Sequence, residues 1–351
     1  MDSQFDQERV VGVKPIAVFR SFQENWNRLY KHHGLSALLR CVRGSIGSGA
    51  PLPENGERAE TQAITFSVVP QLTKTWLHAL QQALAEESVF PVLGDCSGSL
   101  AVDENDAFVY ATYNAPHGEK LDAFFASKAS ADYILVCDDD ILWTDAAPLR
   151  YALEQLRADP SLAVVSLHPR SHVSSLLREV ATEAMGSYCI VVNRAIWEKE
   201  RLSFRIEQPP ANESHDWFYD TADKANRLLV ERGYRIHIAP DEVLDSLISL
   251  EGASTWVLKA QKTAGDIQNE LKHDPVLRAA KAYRVYRFAE LLYTTEALPL
   301  KIREYPMLKH EYLHKAKQCF SEILDADARS SIDKEVQEYI TRLVDLFSTS
   351  E

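Results

Sequence analysis

Between Ala63 and Ile238, short β-branched or apolar runs alternate with stretches of helical periodicity, and no other feature of the chain limits its fold as strongly. The extended runs are Ala63 to Val69, Phe90 to Leu93, Tyr133 to Cys137, Leu162 to Leu167, Tyr188 to Asn193 and Tyr234 to Ile238. Between them, Thr73 to Ala85, Leu121 to Ala129, Ala147 to Leu156 and Thr221 to Arg232 read as helices, the last closed by Gly233 as its C-terminal stop. Such alternation packs as an α/β fold, an open sheet with helices on its faces. The segment has the size of one domain.

The flanks read differently. Residues 19 to 43 place Phe19, Phe22, Trp26 and Leu29 or Tyr30 at helical spacing among Arg20, Arg28, Lys31, Arg40 and Arg43. This is either a helix packed on the main domain or a basic amphipathic surface for an anionic membrane or a partner. Gly44 to Gly56, rich in Gly and Pro, is a linker. After about Ala260 the pattern turns helical, with long runs at Pro275 to Thr294, Met307 to Leu324 and Ser331 to Phe347. The expected division is an N-terminal helical extension and linker at 1–56, a catalytic domain at 57–258 and a C-terminal helical region at 259–351. That last region is a cap on the sheet, an oligomerisation surface or a membrane-proximal platform.

Charge and cysteine usage narrow the partners. With 38 Lys and Arg against 51 Asp and Glu, the net charge of -13 repels nucleic acid. The five cysteines, Cys41, Cys96, Cys137, Cys189 and Cys319, form no Cys-x-x-Cys pair and no metal-type spacing, which fits a reduced compartment. Asp2, Asp6 and Glu8 stand where a signal peptide would carry basic and apolar residues, and no run of about 18 apolar residues occurs. The expectation is a cytoplasmic protein, with peripheral attachment at the inner membrane face left open.

Chemistry concentrates where the run Tyr133 to Cys137 ends in Asp138-Asp139-Asp140. Ligands of open α/β sheets collect at the carboxyl ends of strands, and clustered carboxylates there repel one another unless a cation lies among them. Carboxylate oxygens favour hard ions such as Mg²⁺ or Mn²⁺, which complete their shells with water and substrate phosphates. Alternation along an extended segment puts Asp138 and Asp140 on one side, as the metal-facing pair, and Asp139 on the other. The competing interpretation is a turn in which the acids cap a following helix, for which Thr144 and Asp145 also qualify.

The order of elements around this run resembles the GT-A glycosyltransferases, most nearly their inverting family 2 group. In that family an apolar strand ends in an Asp-x-Asp motif, matched by Asp138-Asp139-Asp140, that binds the metal and the donor diphosphate. The segment Ile64 to Pro70 resembles the family's first strand and donor loop. Pro91 to Gly98 resembles its second, whose terminal Asp, here Asp95, contacts the nucleoside; Asp95 also suits a plain turn between Gly94 and Gly98. Tyr113 to Lys120 resembles the loop before the next helix, with Lys120 either meeting a phosphate or solvated in the first helical turn.

Further along, Ala184 to Arg194 resembles the acceptor-side strand, with Gly186 and Ser187 leaving room for a sugar. Glu213 to Asp220, followed by Gly233-Tyr234-Arg235-Ile236, resembles the Glu-Asp-Trp motif and its succeeding strand. Asp216 takes the place of the family's catalytic base, with His215 where the family has Glu and Asp220 as a rival one turn on. A third metal ligand, a His beyond the base, has His237 as its nearest candidate, though His237 also fits a structural role in its strand.

The resemblance therefore implies a nucleotide-sugar donor held by Asp95, Lys120, Asp138 and Asp139, with Mn²⁺ or Mg²⁺ at Asp138, Asp140 and His237. It also implies a glycan or other hydroxyl acceptor, in glycan or cell-surface polysaccharide synthesis. Nucleotidyl transfer is the other enzymatic expectation, but Val69 to Thr75 lacks the glycine of a phosphate loop. A non-catalytic helical scaffold is the remaining one.

Overall fold

A computed structural model describes residues 52–53, 59–168, 184–206, 220–260, 275–299 and 320–348. The expected helix at 19 to 43, most of the linker, Asp216 and the run from Met307 to residue 319 lie outside the described residues.

The expected open α/β sheet is present. Its strands are β1 (Thr61–Ser67), β2 (Val89–Asp95), β3 (Phe108–Ala111), β4 (Tyr133–Cys137), β6 (Leu162–Ser166), β7 (Cys189–Asn193) and β8 (Arg235–Ile238). They lie in the order β3-β2-β1-β4-β7-β6-β8. β1 pairs in parallel with both β2 and β4, while β7 runs antiparallel to β4 and to β6. A separate two-stranded ribbon pairs β5 (Ile141–Trp143) with β9 (Leu247–Ser249). The strand run from Tyr133 therefore stops at Cys137, and the three acids turn the chain out of the sheet into this ribbon.

Both faces of the sheet are covered, so each strand is apolar on both sides. Alternate residues divide between the two faces, apart from Ala163 and Val164 of β6, which share one core where the register shifts. Ala63, Leu135, Val191 and Val165 face one core with α1 (Pro70–Ala83) and α3 (Ala147–Ala158). Ile64, Ile134, Val192 and Val164 face a second core with α2 (His117–Ser127), α4 (Arg194–Lys199) and α5 (Asp223–Glu231). β1 is buried throughout although four of its residues are polar. Gln62 is satisfied by Ser130, donating to its hydroxyl at 3.0 Å and accepting from its N–H at 2.8 Å.

Helix limits follow local chemistry. Pro70 occupies the first turn of α1, where its missing N–H costs nothing, so the helix starts before the expected Thr73. Gly233, at φ +79°, stops α5 as expected. Its N–H donates to Val230 O, and Tyr234 N–H donates to Leu229 O at 2.9 Å, which satisfies two carbonyls of the last turn.

The later elements are α6 (Asp241–Leu244), α7 (Ala253–Ala260), α8 (Pro275–Thr294) and α9 (Ala326–Ser348). α8 matches the expected run end for end. Tyr286 and Phe288 of α8, Phe320, and Ile340 and Phe347 of α9 join the same core as α1 and β4. The His78 and Phe347 rings lie 4.5 Å apart, and Arg342 donates to Thr144 Oγ1 at 2.9 Å. One core thus runs from the sheet through the C-terminal helices, and α7 spans residue 258, the expected end of the catalytic domain. Among the described residues, no helix is long and apolar enough to cross a membrane.

Candidate functional site

The sheet order reverses between β1 and β4: successive strands step outward from β1 to β3, then return to its other side. In open α/β sheets this switch opens a crevice at the carboxyl ends of the strands, where ligands bind. β1 ends there at Ser67, and β4 delivers Asp138 there.

The three acids have unlike surroundings. Asp139, 4% exposed, accepts from Thr73 Oγ1 of α1 at 2.6 Å and from Ser254 Oγ of α7 at 3.1 Å. Burial pushes its carboxyl up to about 7 against the pull of the Thr73 bond. Asp140 accepts from Ala253 N at 2.8 Å, and its backbone carbonyl accepts from Leu250 N. Burial raises its carboxyl, opposed by the Ala253 and Gly252 amides and by the nearby charge of His168.

Both inner acids are thus tied to α7. Asp139 turns inward to tie two helices, while Asp140 caps a helix 113 residues downstream as well as facing its neighbour. That cap is made possible by Glu251 and Gly252, both at positive φ, which fold the chain back onto the carboxylate.

Asp138 is the open member. Its side chain keeps 34% of its surface, and its N–H is spent on Tyr188 O at 2.7 Å. Enclosure on its other sides pushes its carboxyl well up, and the charge of Asp140 raises it further; Lys120 opposes both. Two carboxylates that repel across a cleft form a donor set suited to a hard divalent cation, which needs few protein ligands. Among the described residues no group of three or more acidic, His or Cys side chains closes around a single metal position. The residues fit an ion that shares its shell with a ligand.

Lys120 is buried rather than solvated in the first turn of α2. Its Nζ donates to Asn114 Oδ1 at 3.0 Å and lies 4.8 Å from the centre of the Phe66 ring. The ring is held by Gly94, where a Cβ would come within 2.4 Å of Phe66 Cδ1. His117, at the start of α2, meets the Phe66 ring edge-on at 5.9 Å. Burial and the charge of Lys120 hold its imidazole down at about 3, against a hydrogen bond to the Ser187 backbone. His117 Nε2 is shielded from solvent, has no hydrogen-bond partner and lies 3.9 Å from Asp138 Oδ1.

Asp95 has a turn role. Its Oδ1 accepts from Ser97 N, Ser97 Oγ and Gly98 N at 2.9, 2.6 and 2.9 Å, and its Oδ2 accepts from Leu100 N at 3.2 Å. His237 is not brought to the acidic run. It lies on β8, three strand spacings from β4, about 14 Å away, and its Nε2 is 2.6 Å from Tyr151 Oη. The expectation that His237 completes the metal site is corrected by that placement. The histidine beside Asp140 is His168, just past β6, 3.2 Å from Ser249 Oγ. Its signal was a His immediately after an apolar run, at the carboxyl edge where ligands gather. Asp216 lies outside the described residues.

No protein-family model matches the chain, and no curated protein matches it. Solved structures similar to it include the mannosyltransferase PcManGT from Pyrobaculum calidifontis, in complex with GDP-Man and Mn²⁺. It is 15% identical over 94% of this chain and 99% of that one, with a TM-score of 0.38. Another is glucosyl-3-phosphoglycerate synthase from Mycobacterium tuberculosis, in complex with Mn²⁺, UDP-glucose and glycerol 3-phosphate. It is 12% identical over 59% of this chain and 79% of that one, with a TM-score of 0.35.

Proposed function

We propose that the protein is a metal-dependent glycosyltransferase of the GT-A type that moves a sugar from a nucleotide-sugar donor to an acceptor hydroxyl. One observation carries this: at the switch between β1 and β4, two mutually opposed carboxylates, Asp138 and Asp140, share a cleft with the buried cation of Lys120. A nucleoside diphosphate needs both signs of charge around it, acids to hold its counter-ion and a fixed base to meet its oxygens.

In this reading Lys120 is aimed by Asn114 and Phe66 and offsets charge on the diphosphate. Being already desolvated, it gives up little hydration when the ligand arrives. A divalent cation held by Asp138 and Asp140 would supply the remaining positive charge as the diphosphate leaves. Asp139 keeps α1 and α7 in place around the cleft. Gly186 and Ser187 line the acceptor side, and Asp216 takes the proton of the acceptor hydroxyl as it attacks, which gives inversion at the anomeric carbon.

The test is a thermal-shift panel of UDP- and GDP-sugars with and without Mn²⁺, followed by product assay. Stabilisation by one donor only with the metal, and release of nucleoside diphosphate, is the expected result. Absence of any metal-dependent stabilisation sinks the proposal. Pyrophosphate as the product would replace it with nucleotidyl transfer.

A further inference from the structure

His117 stands at the cleft with a ring nitrogen that nothing satisfies. A shielded polar atom without a partner loses its hydration with nothing in return, and Nε2 is such an atom. The other ring nitrogen makes the hydrogen bond to the Ser187 backbone. That bond favours the protonated ring, so Nδ1–H donates to the Ser187 carbonyl. The tautomer follows: Nδ1 carries the hydrogen, and Nε2 presents a lone pair.

That lone pair faces the carboxylate of Asp138 across 3.9 Å. The separation is too long for a hydrogen bond, which ends near about 3.2 Å. Two bonds of about 2.1 Å to one ion span up to about 4.2 Å. The ring and its backbone are closely flanked. Phe66 flanks it at 86° to its plane, and at the next residue, Gly118, a Cβ would come within 2.2 Å of Phe204 O. A histidine that donates its far N–H to a backbone carbonyl while turning its near nitrogen to a carboxylate has the outer-shell arrangement of a metal ligand.

We propose that His117 Nε2 and Asp138 Oδ1 bind one divalent cation between them, giving the site a nitrogen donor. This rests on the metal-dependent reading above and deepens it. His168 is the rival nitrogen, beside Asp140, but its Nε2 already has Ser249 Oγ within 3.2 Å.

The experiment uses Mn²⁺ alone and then Mn²⁺ with GDP or UDP, on the full chain. Free Mn²⁺ is titrated by electron paramagnetic resonance, and the bound ion is read by electron spin-echo modulation. The wild type should show modulation from a directly bound imidazole nitrogen. His117→Gln should lose that signal and bind Mn²⁺ at least about tenfold more weakly, whereas His168→Gln should keep the signal. Because the spin-echo readout on the wild type needs no variant, a poorly folding substitution leaves the proposal testable. Bound Mn²⁺ without nitrogen modulation, or modulation lost only in His168→Gln, overturns the role of His117 and leaves the proposed function standing. Failure of the wild type to bind Mn²⁺ with or without nucleotide overturns both.

Discussion

β2 and β4 lie on either side of β1, and each runs from apolar residues into an aspartate at its carboxyl end, yet the two aspartates are used oppositely. Asp95 receives four hydrogen bonds from the five residues after it and is consumed by its own loop. Asp138 faces a histidine lone pair and a second carboxylate, and its charge is held in an environment that disfavours it. A carboxylate satisfied by its loop contributes to folding. One left unsatisfied at a switch point costs stability until a ligand arrives, as functional sites commonly do.

The largest expected effect lies apart from both strand ends. Asp216→Asn should lower turnover by about 10² to 10⁴ while donor and metal affinity stay near wild type. Steady-state kinetics beside calorimetry measure this, and an equal loss in Asp220→Asn with Asp216→Asn unaffected would move the base one turn.

Next, Asp95→Ala should destabilise the fold by about 3 kcal/mol, since several donors around a charged acceptor lose it together. Chemical denaturation measures this. An unchanged midpoint, with donor affinity lost instead, would make Asp95 a ligand residue and erase the contrast with Asp138.

Asp138→Asn should weaken Mn²⁺ binding by about 10- to 100-fold while leaving the melting temperature equal or higher at pH 8. A clear drop in melting temperature would show that Asp138 is as structural as Asp95.

The last effect, read through pH, concerns Asp139, whose carboxyl is pushed up to about 7 from an ordinary 3.8. Between those values the folded state holds a proton that the unfolded state has lost, so this contribution is complete below pH 3.8 and fades as pH rises toward 7. Relative to wild type, Asp139→Asn should therefore gain about 2 to 3 kcal/mol between pH 5 and pH 8. A flat difference across that range would contradict the assigned direction.

The legible parts of the fold were those decided by local pattern. Strand and helix periodicity marked β1, β4, β6, β7 and α8, and Gly233 marked the end of α5, because period and turn chemistry act over a few residues. β3 and the ribbon of β5 with β9 were not marked. Three or four residues carry too little pattern, and Ile141–Trp143 reads as a continuation of β4 until its partner, more than 100 residues later, is known.

At the site, the acidic run was visible as unpaired charge at a strand end. Its division of labour was not, since Asp140 accepts from an amide 113 positions away. His237 looked suitable by order along the chain and proved unsuitable by strand order. His117 was passed over because only the fold brings Ser187 and Asp138 to opposite sides of its ring.

The bond from Ala253 N to Asp140 has a further consequence. A carboxylate that shares its charge with a cation has less to give to an amide, so ligand binding and the first turn of α7 draw on one resource. α7 in turn leans on α8, whose Tyr286 Oη reaches the carbonyl of Trp256. Such competition is reciprocal by thermodynamic necessity: whatever strengthens the cap weakens the ion, and the ion weakens the cap by the same factor. Substitutions along the α7–α8 seam, remote from any ligand, should therefore register as changes in metal affinity, making the C-terminal helices a dial on the cleft as well as a cover for the sheet.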